Sequence, residues 1–160
     1  LWRSLFGKSP STSTESTSPS RPRVQADEQL SSFVRRKNEI VRNTHIHHTR
    51  LMPRRNPATA RLETSVCRSS ALTDEALWAI CSKHFDAHTD KPAFGRGIGR
   101  AATVYAEQLS LDADGIPYPE HANIIGWHEE PGRPDHELKN GWMDKAQRMA
   151  KEFRYLPRPT

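Results

Sequence analysis

The chain has 160 residues, of which 34% are hydrophobic, and a mean hydropathy of −0.81. That is enough for one packed domain, but no run approaches the ~20 apolar residues of a membrane-spanning helix. Two cysteines exclude a disulfide-dense scaffold, and a formal net charge of +5 permits an acidic partner without establishing one.

Leu1–Lys8 carries Trp2, Leu5 and Phe6 but is too short for the apolar core of a signal peptide. From Ser9 to Ser20 every residue except Glu15 is Ser, Thr or Pro. Such a stretch buries too little to offset its backbone entropy, so residues 1–32 are expected to form a flexible tail or linker, a place for a protein partner or a fused module to attach. A single domain is expected over residues 33–160, with Asp27 or Glu28 opening a short helix through Phe33 and Val34.

Ile40–Leu51 is rich in β-branched residues and reads as a strand. Asn56-Pro57 then makes a turn, and Leu62–Arg68 a second strand. Thr73 followed by Asp74 and Glu75 is a helix start with a hydroxyl cap and two acids at the positive end of the dipole. The helix is expected to run to Asp86 or His88, with Leu77, Ile80, Cys81, His84 and His88 on one stripe. Gly95–Arg100 reads as a basic loop that lacks the spacing of a dinucleotide fingerprint. Ala101–Ala106 is expected as a strand, Asp112–Pro119 as turns, and His121–Trp127 as a buried strand. In the last helix Leu138, Trp142, Ala146, Met149, Ala150 and Phe153 make the buried face. Together these predict an α+β fold, a small mainly antiparallel sheet with two amphipathic helices preceded by a disordered tail.

The charge is unevenly distributed. Residues 1–32 sum to +1, residues 33–68 to +7 and residues 69–160 to −3. Arginine dominates the basic segment, and its planar fork suits phosphate or carboxylate better than lysine does. Arg50, Arg54, Arg55, Arg61 and Arg68 are therefore the candidate binding residues. The gap in aromatics between Phe33 and Trp78 argues against single-strand recognition by stacking.

Eight histidines are present. His45 and His47 share a face of the expected strand, about 6–7 Å apart, a spacing that can ligate one metal ion. His47 and His121 are the candidate acid–base residues, His121 because it precedes a buried strand at a sheet end. Cys81, His84 and His88 have zinc-ligand spacing on one helix face, but that face is also the core stripe. No P-loop, H-E-x-x-H, G-x-S-x-G or C-x-x-C occurs, and no cofactor is specified.

His47-His48-Thr49-Arg50-Leu51-Met52-Pro53, Leu62-Glu63-Thr64-Ser65-Val66 and His121-Ala122-Asn123-Ile124-Ile125-Gly126-Trp127 resemble segments of small bacterial proteins of unassigned function. The resemblance carries no activity; it implies a bacterial or phage source and, with two unpaired cysteines, a cytoplasmic setting. The expectation is an accessory or binding domain whose Arg-rich β segment engages a phosphate-bearing partner, either nucleic acid or nucleotide. The alternative is a small hydrolase or transferase acting on such a substrate through His45, His47 or His121, with or without a metal. The two differ in whether those histidines converge with an arginine in one pocket.

Overall fold

In QLSSFV, residues 30, 32 and 34 point to one side of an extended chain and 29, 31 and 33 to the other. Both sides are covered, so strand β1 (Gln29–Val34) is buried from Leu30 onward and forms the middle of the fold. The structure, a computed structural model, describes residues 21–160; the expected Leu1–Lys8 motif and Ser9–Ser20 linker lie outside the described residues.

The remaining strands are β2 (Ile40–Val41), β3 (His45–Ile46), β4 (Arg54–Arg55), β5 (Leu62–Arg68), β6 (Gly95–Arg100), β7 (Ser110–Asp112), β8 (His121–Ile125) and β9 (Arg154–Pro157). Eight of them run in the order β2-β3-β9-β6-β1-β5-β8-β7, and β4 pairs with the start of β5. Every pairing is antiparallel. The helices are α1 (Asp74–His84), the short α2 (Ala101–Ala106) and α3 (Asp135–Ala150). This is the expected α+β architecture, with α1 and α3 as the two amphipathic helices. Among the described residues no helix is long and apolar enough to cross a membrane.

Each helix covers one sheet face. On the α3 side, Leu138, Trp142, Ala146 and Met149 pack with Leu30, Val34, Val66 and Ile124 into the larger core. On the α1 side, Leu77, Trp78 and Cys81 pack with Phe33, Cys67 and Tyr118 into a smaller one. Thr73 caps α1 as expected, its hydroxyl accepting from the Ala76 N–H at 3.2 Å. Phe153 lies beyond α3 and is fully buried in the larger core.

Several local expectations are corrected. Gln29–Val34 is strand rather than helix, with Asp27 in the turn before it, and Val24 and Leu30, placed in the tail by composition, are buried in the core. The continuous strand over Ile40–Leu51 is two short strands around a turn, where Arg42 and Asn43 both have positive φ, followed by a 3-10 turn at His48–Arg50. Ala101–Ala106 is helix, with Ala101 and Val104 buried. The basic loop Gly95–Arg100 is strand β6.

The last correction has a steric origin. Gly95, Gly97 and Gly99 alternate onto the α3 side, where a β-carbon would run into the Tyr155 ring, Ile46 and the Phe153 ring respectively. The missing side chains are the space those three residues fill. Phe153 is fully buried, whereas Tyr155 is only partly buried and can swing aside. Gly99→Ala is therefore expected to cost about 1–3 kcal/mol in urea unfolding, as overpacking does, and Gly95→Ala distinctly less. Equal costs would contradict this packing.

Candidate anion-binding cleft

The β1–β5 ladder is short. It holds Leu30 against Arg68 and Ser31 against Cys67 and then stops. Beyond that point β1 continues alongside β6 to Val34, while residues 64–66 of β5 pair with β8. A cleft of about 450 Å³ opens where the two strands have parted, lined by Arg35, Arg50, Met52, Arg54, Glu63, Ser65 and Phe85 among others.

Strand parity explains its lining. Arg35 follows β1 with the parity of Ser31 and Phe33, on the α1 side. Glu63 and Ser65 take the same side of β5, and Arg54 stands directly opposite Glu63, so its side chain emerges on that face too. Arg50 arrives from the 3-10 turn that His47 caps by accepting from the Thr49 N–H at 3.4 Å. Phe85, at the end of α1, packs on Phe33 with ring centroids 4.8 Å apart and carries the Arg35 guanidinium 5.3 Å from its own centroid.

The arginines divide into two groups. Arg55, Arg61 and Arg68 are committed to partners within the fold. Arg55 spans Asp135 at 2.6 Å and Glu129 at 2.9 Å. Arg61 joins Glu63 at 3.1 Å and Asp112 at 2.9 Å, and Arg68 holds Glu28 at 2.9 Å. These contacts raise the Arg55 and Arg61 pKa values; for Arg61, burial is the largest single effect and acts downward, but the hydrogen bonds and charges of Asp112 and Glu63 together outweigh it.

Arg50 belongs to the second group. Its side chain is 19% exposed and its one acidic neighbour, Glu39, stands 3.6 Å away, beyond hydrogen-bond length. Glu39 Oε2 accepts from the backbone N–H groups of Arg35 and Arg36, at 2.8 and 3.0 Å, and its Oε1 makes the 3.6 Å ion pair with Arg50. The Arg50 Nε is buried and has no partner among the described residues. Burial lowers the Arg50 pKa, Glu39 opposes this, and Arg54 and Arg35 lower it further. Among the described residues neither Arg35 nor Arg54 has an acidic side chain within ion-pair distance. Three guanidiniums thus line one space, and the carboxylate nearest Arg50 reaches it only at 3.6 Å. An anion entering there would relieve both the repulsion and the unmade hydrogen bond.

The histidines lie elsewhere. His45 is on β3, its Nδ1 2.9 Å from the Thr44 hydroxyl, and His47 has its Nδ1 3.0 Å from the Thr49 hydroxyl. With His48 they line a separate groove of about 290 Å³, and the rings of His47 and His48 stack 4.0 Å apart. Burial lowers the His48 pKa, and His47 adds to the effect. His121 is on β8, one strand beyond β5 in the sheet, and is not among the residues lining the cleft.

His121 is 6% exposed beneath the edge of Tyr118. Its Nδ1 is hydrogen-bonded to Asp114, whose other oxygen accepts from the Asn123 amide at 3.0 Å. Asn123 in turn accepts from the Ser65 hydroxyl at 3.2 Å, on the wall of the cleft. This chain braces β8 against the turn that precedes it and ends on an amide, which cannot take a proton from Ser65.

Among the described residues no group of three or more His, Cys, Asp or Glu side chains is placed to hold a metal ion. Cys81 is fully buried, with its thiol turned to Asp86 at 3.8 Å, and His84 stacks on Tyr118. Burial pushes the thiols of Cys67 and Cys81 up to about 12, so neither is a ready nucleophile. Sequence reasoning missed Arg35 and Phe85 as lining residues; the shared parity of Phe33 and Arg35 was the available signal. No protein-family model, curated protein or solved structure matches the chain.

The two groups of arginines differ in what their removal should do. Arg68→Ala leaves the partly buried Glu28 without its partner and is expected to lower stability by about 1–2 kcal/mol. Arg50→Met removes an underpaired buried charge and keeps its apolar stem, so stability without ligand is expected to stay level or rise. Urea melts of both variants at low salt check this. Destabilisation by Arg50→Met as large as that of Arg68→Ala would assign Arg50 a structural role.

Proposed function

We propose that this chain is a binding domain that engages a phosphate-bearing partner, a nucleotide or nucleic acid, through the cleft of Arg35, Arg50 and Arg54. The observation that carries the reading is the buried Arg50 Nε without a partner, held beside two further guanidiniums. Native proteins rarely leave a charged donor in that state unless another molecule completes it. Arginine is also the residue whose fixed fork matches phosphate oxygens two at a time.

Arg55 and Arg61 have a supporting part in this reading. By pairing with Asp135, Glu129 and Glu63, they offset carboxylates on the cleft lining or bound to it. A hydrolase or transferase would need His47 and His121 beside the cleft arginines. Neither lines the cleft, since His47 opens onto the separate groove and His121 is held by Asp114, which makes that reading the weaker one.

Calorimetric titration of the full chain with ATP, a short single-stranded DNA and a short duplex tests the proposal. At least one is expected to bind at about 50 mM salt and to weaken at about 200 mM, as phosphate contacts do. The double variant Arg50→Met, Arg54→Ala is expected to lose about tenfold or more in affinity while keeping its thermal transition. Absence of binding to the whole panel, or undiminished binding by the double variant, would overturn the reading.

A further inference from the structure

Resting on that reading, we propose that the cleft takes a small organic phosphomonoester, of the size and charge of a nucleoside monophosphate, rather than the diester backbone of a nucleic acid. Charge is the first reason. Arg35, Arg50 and Arg54 bring three positive charges, and Glu39 returns one negative charge. Glu63, the acid among the lining residues, is bound by Arg61 at 3.1 Å and by the Asn56 amide at 2.6 Å. The uncompensated charge is therefore two. A phosphomonoester approaches two negative charges near neutral pH, because its second pKa is about 6, and presents three terminal oxygens. A backbone phosphate has one charge and two free oxygens.

Access is the second reason. Only 19% of the Arg50 side chain is exposed, and the orphaned Nε is buried. A terminal phosphate at the end of a small molecule can enter such a recess. A phosphate flanked on both sides by polymer meets the rim, where Arg55 is already engaged by Asp135 and Glu129.

The third reason is the remainder of the lining. Phe85, Met52 and Pro57 supply apolar surface within the same 450 Å³ space, which falls in the ~300–1,000 Å³ range of small-ligand sites. That surface gives the organic part of the ligand a place, and Phe85 also fixes the plane of Arg35 from behind.

Charge matching gives the inference a signature in pH. The ligand gains its second charge as pH rises through about 6, so affinity rises with pH. The side chains around Arg50 cannot mimic this. Arg35, Arg54 and Arg55 are arginines, which are not deprotonated in proteins. The other neighbours are the acids Glu39 and Glu63 and, in the adjoining turn, His47 and His48; loss of a proton from any of them makes the cleft less positive and opposes anion binding.

The test is calorimetric titration of the full chain with adenosine 5′-monophosphate, the diester adenylyl-(3′,5′)-adenosine, a short duplex DNA and inorganic phosphate, at about pH 5 and about pH 7.5. The monophosphate is expected to bind one-to-one, about tenfold or more tighter than either diester, and to tighten several-fold from the lower to the higher pH. Arg50→Met is expected to abolish that pH dependence while the protein still melts cooperatively. Binding of either diester as tightly as the monoester would overturn the phosphomonoester assignment but leave the phosphate-binding cleft standing. Inorganic phosphate binding as tightly as the nucleotide would also overturn it, by removing the organic part. Failure of every probe would remove the cleft reading as well.

Discussion

A guanidinium nitrogen withdrawn from water needs its hydrogen paired, and the Arg50 Nε does not have that. Its nearest carboxylate is out of hydrogen-bond range, its Nε has no partner among the described residues, and Arg35 and Arg54 depress its pKa further. This arrangement costs free energy in the folded chain and has to be held in place by packing elsewhere. Leu51, the residue after Arg50, is fully buried in the larger core, and its carbonyl accepts from the Thr64 hydroxyl at 3.2 Å. Glu39 ties the backbone of Arg35 and Arg36 to the same region. The cation is thus fixed by its neighbours in the chain rather than by its own charge pairing.

The sheet provides the space. β1 and β5 share two register pairs and then separate, each kept extended by the partner on its other side. The buried Ser32 hydroxyl, without a hydrogen-bond partner among the described residues, lies in the part of β1 that has lost β5. On the far side of β1 the sheet is unusually close-packed, with the glycine row of β6 filled by Ile46, Phe153 and Tyr155. A rigid half and an opened half meet at the central strand, so one wall of the cleft rests on dense core.

Elements with strong local signals were legible in the sequence. Thr73-Asp74-Glu75 marked the start of α1, the stripe from Leu138 to Met149 marked α3, and the β-branched run marked β5. Elements decided by tertiary packing were not. Gly95–Arg100 lacks the side-chain alternation that announces a strand, because its partners supply the side chains. Ala101–Ala106 contains strand-favouring Thr, Val and Tyr, yet burial of Ala101 and Val104 makes it helical. The basic excess of residues 33–68 could be counted from composition. Which arginines are satisfied could not, since Arg55, Arg61 and Arg68 find acids 40 to 80 residues away in the chain.

The central claim is that the Arg50 Nε is kept for a ligand oxygen. Its most direct measurement is the NMR signal of the arginine Nε–Hε groups during titration with adenosine 5′-monophosphate, assigned through the Arg50→Met variant. The account requires the Arg50 signal to move and saturate with the ligand, while those of Arg61 and Arg68, already bound to carboxylates, stay where they are. An Arg50 signal that remains still while the ligand binds, or that moves no more than Arg61 and Arg68, would contradict it.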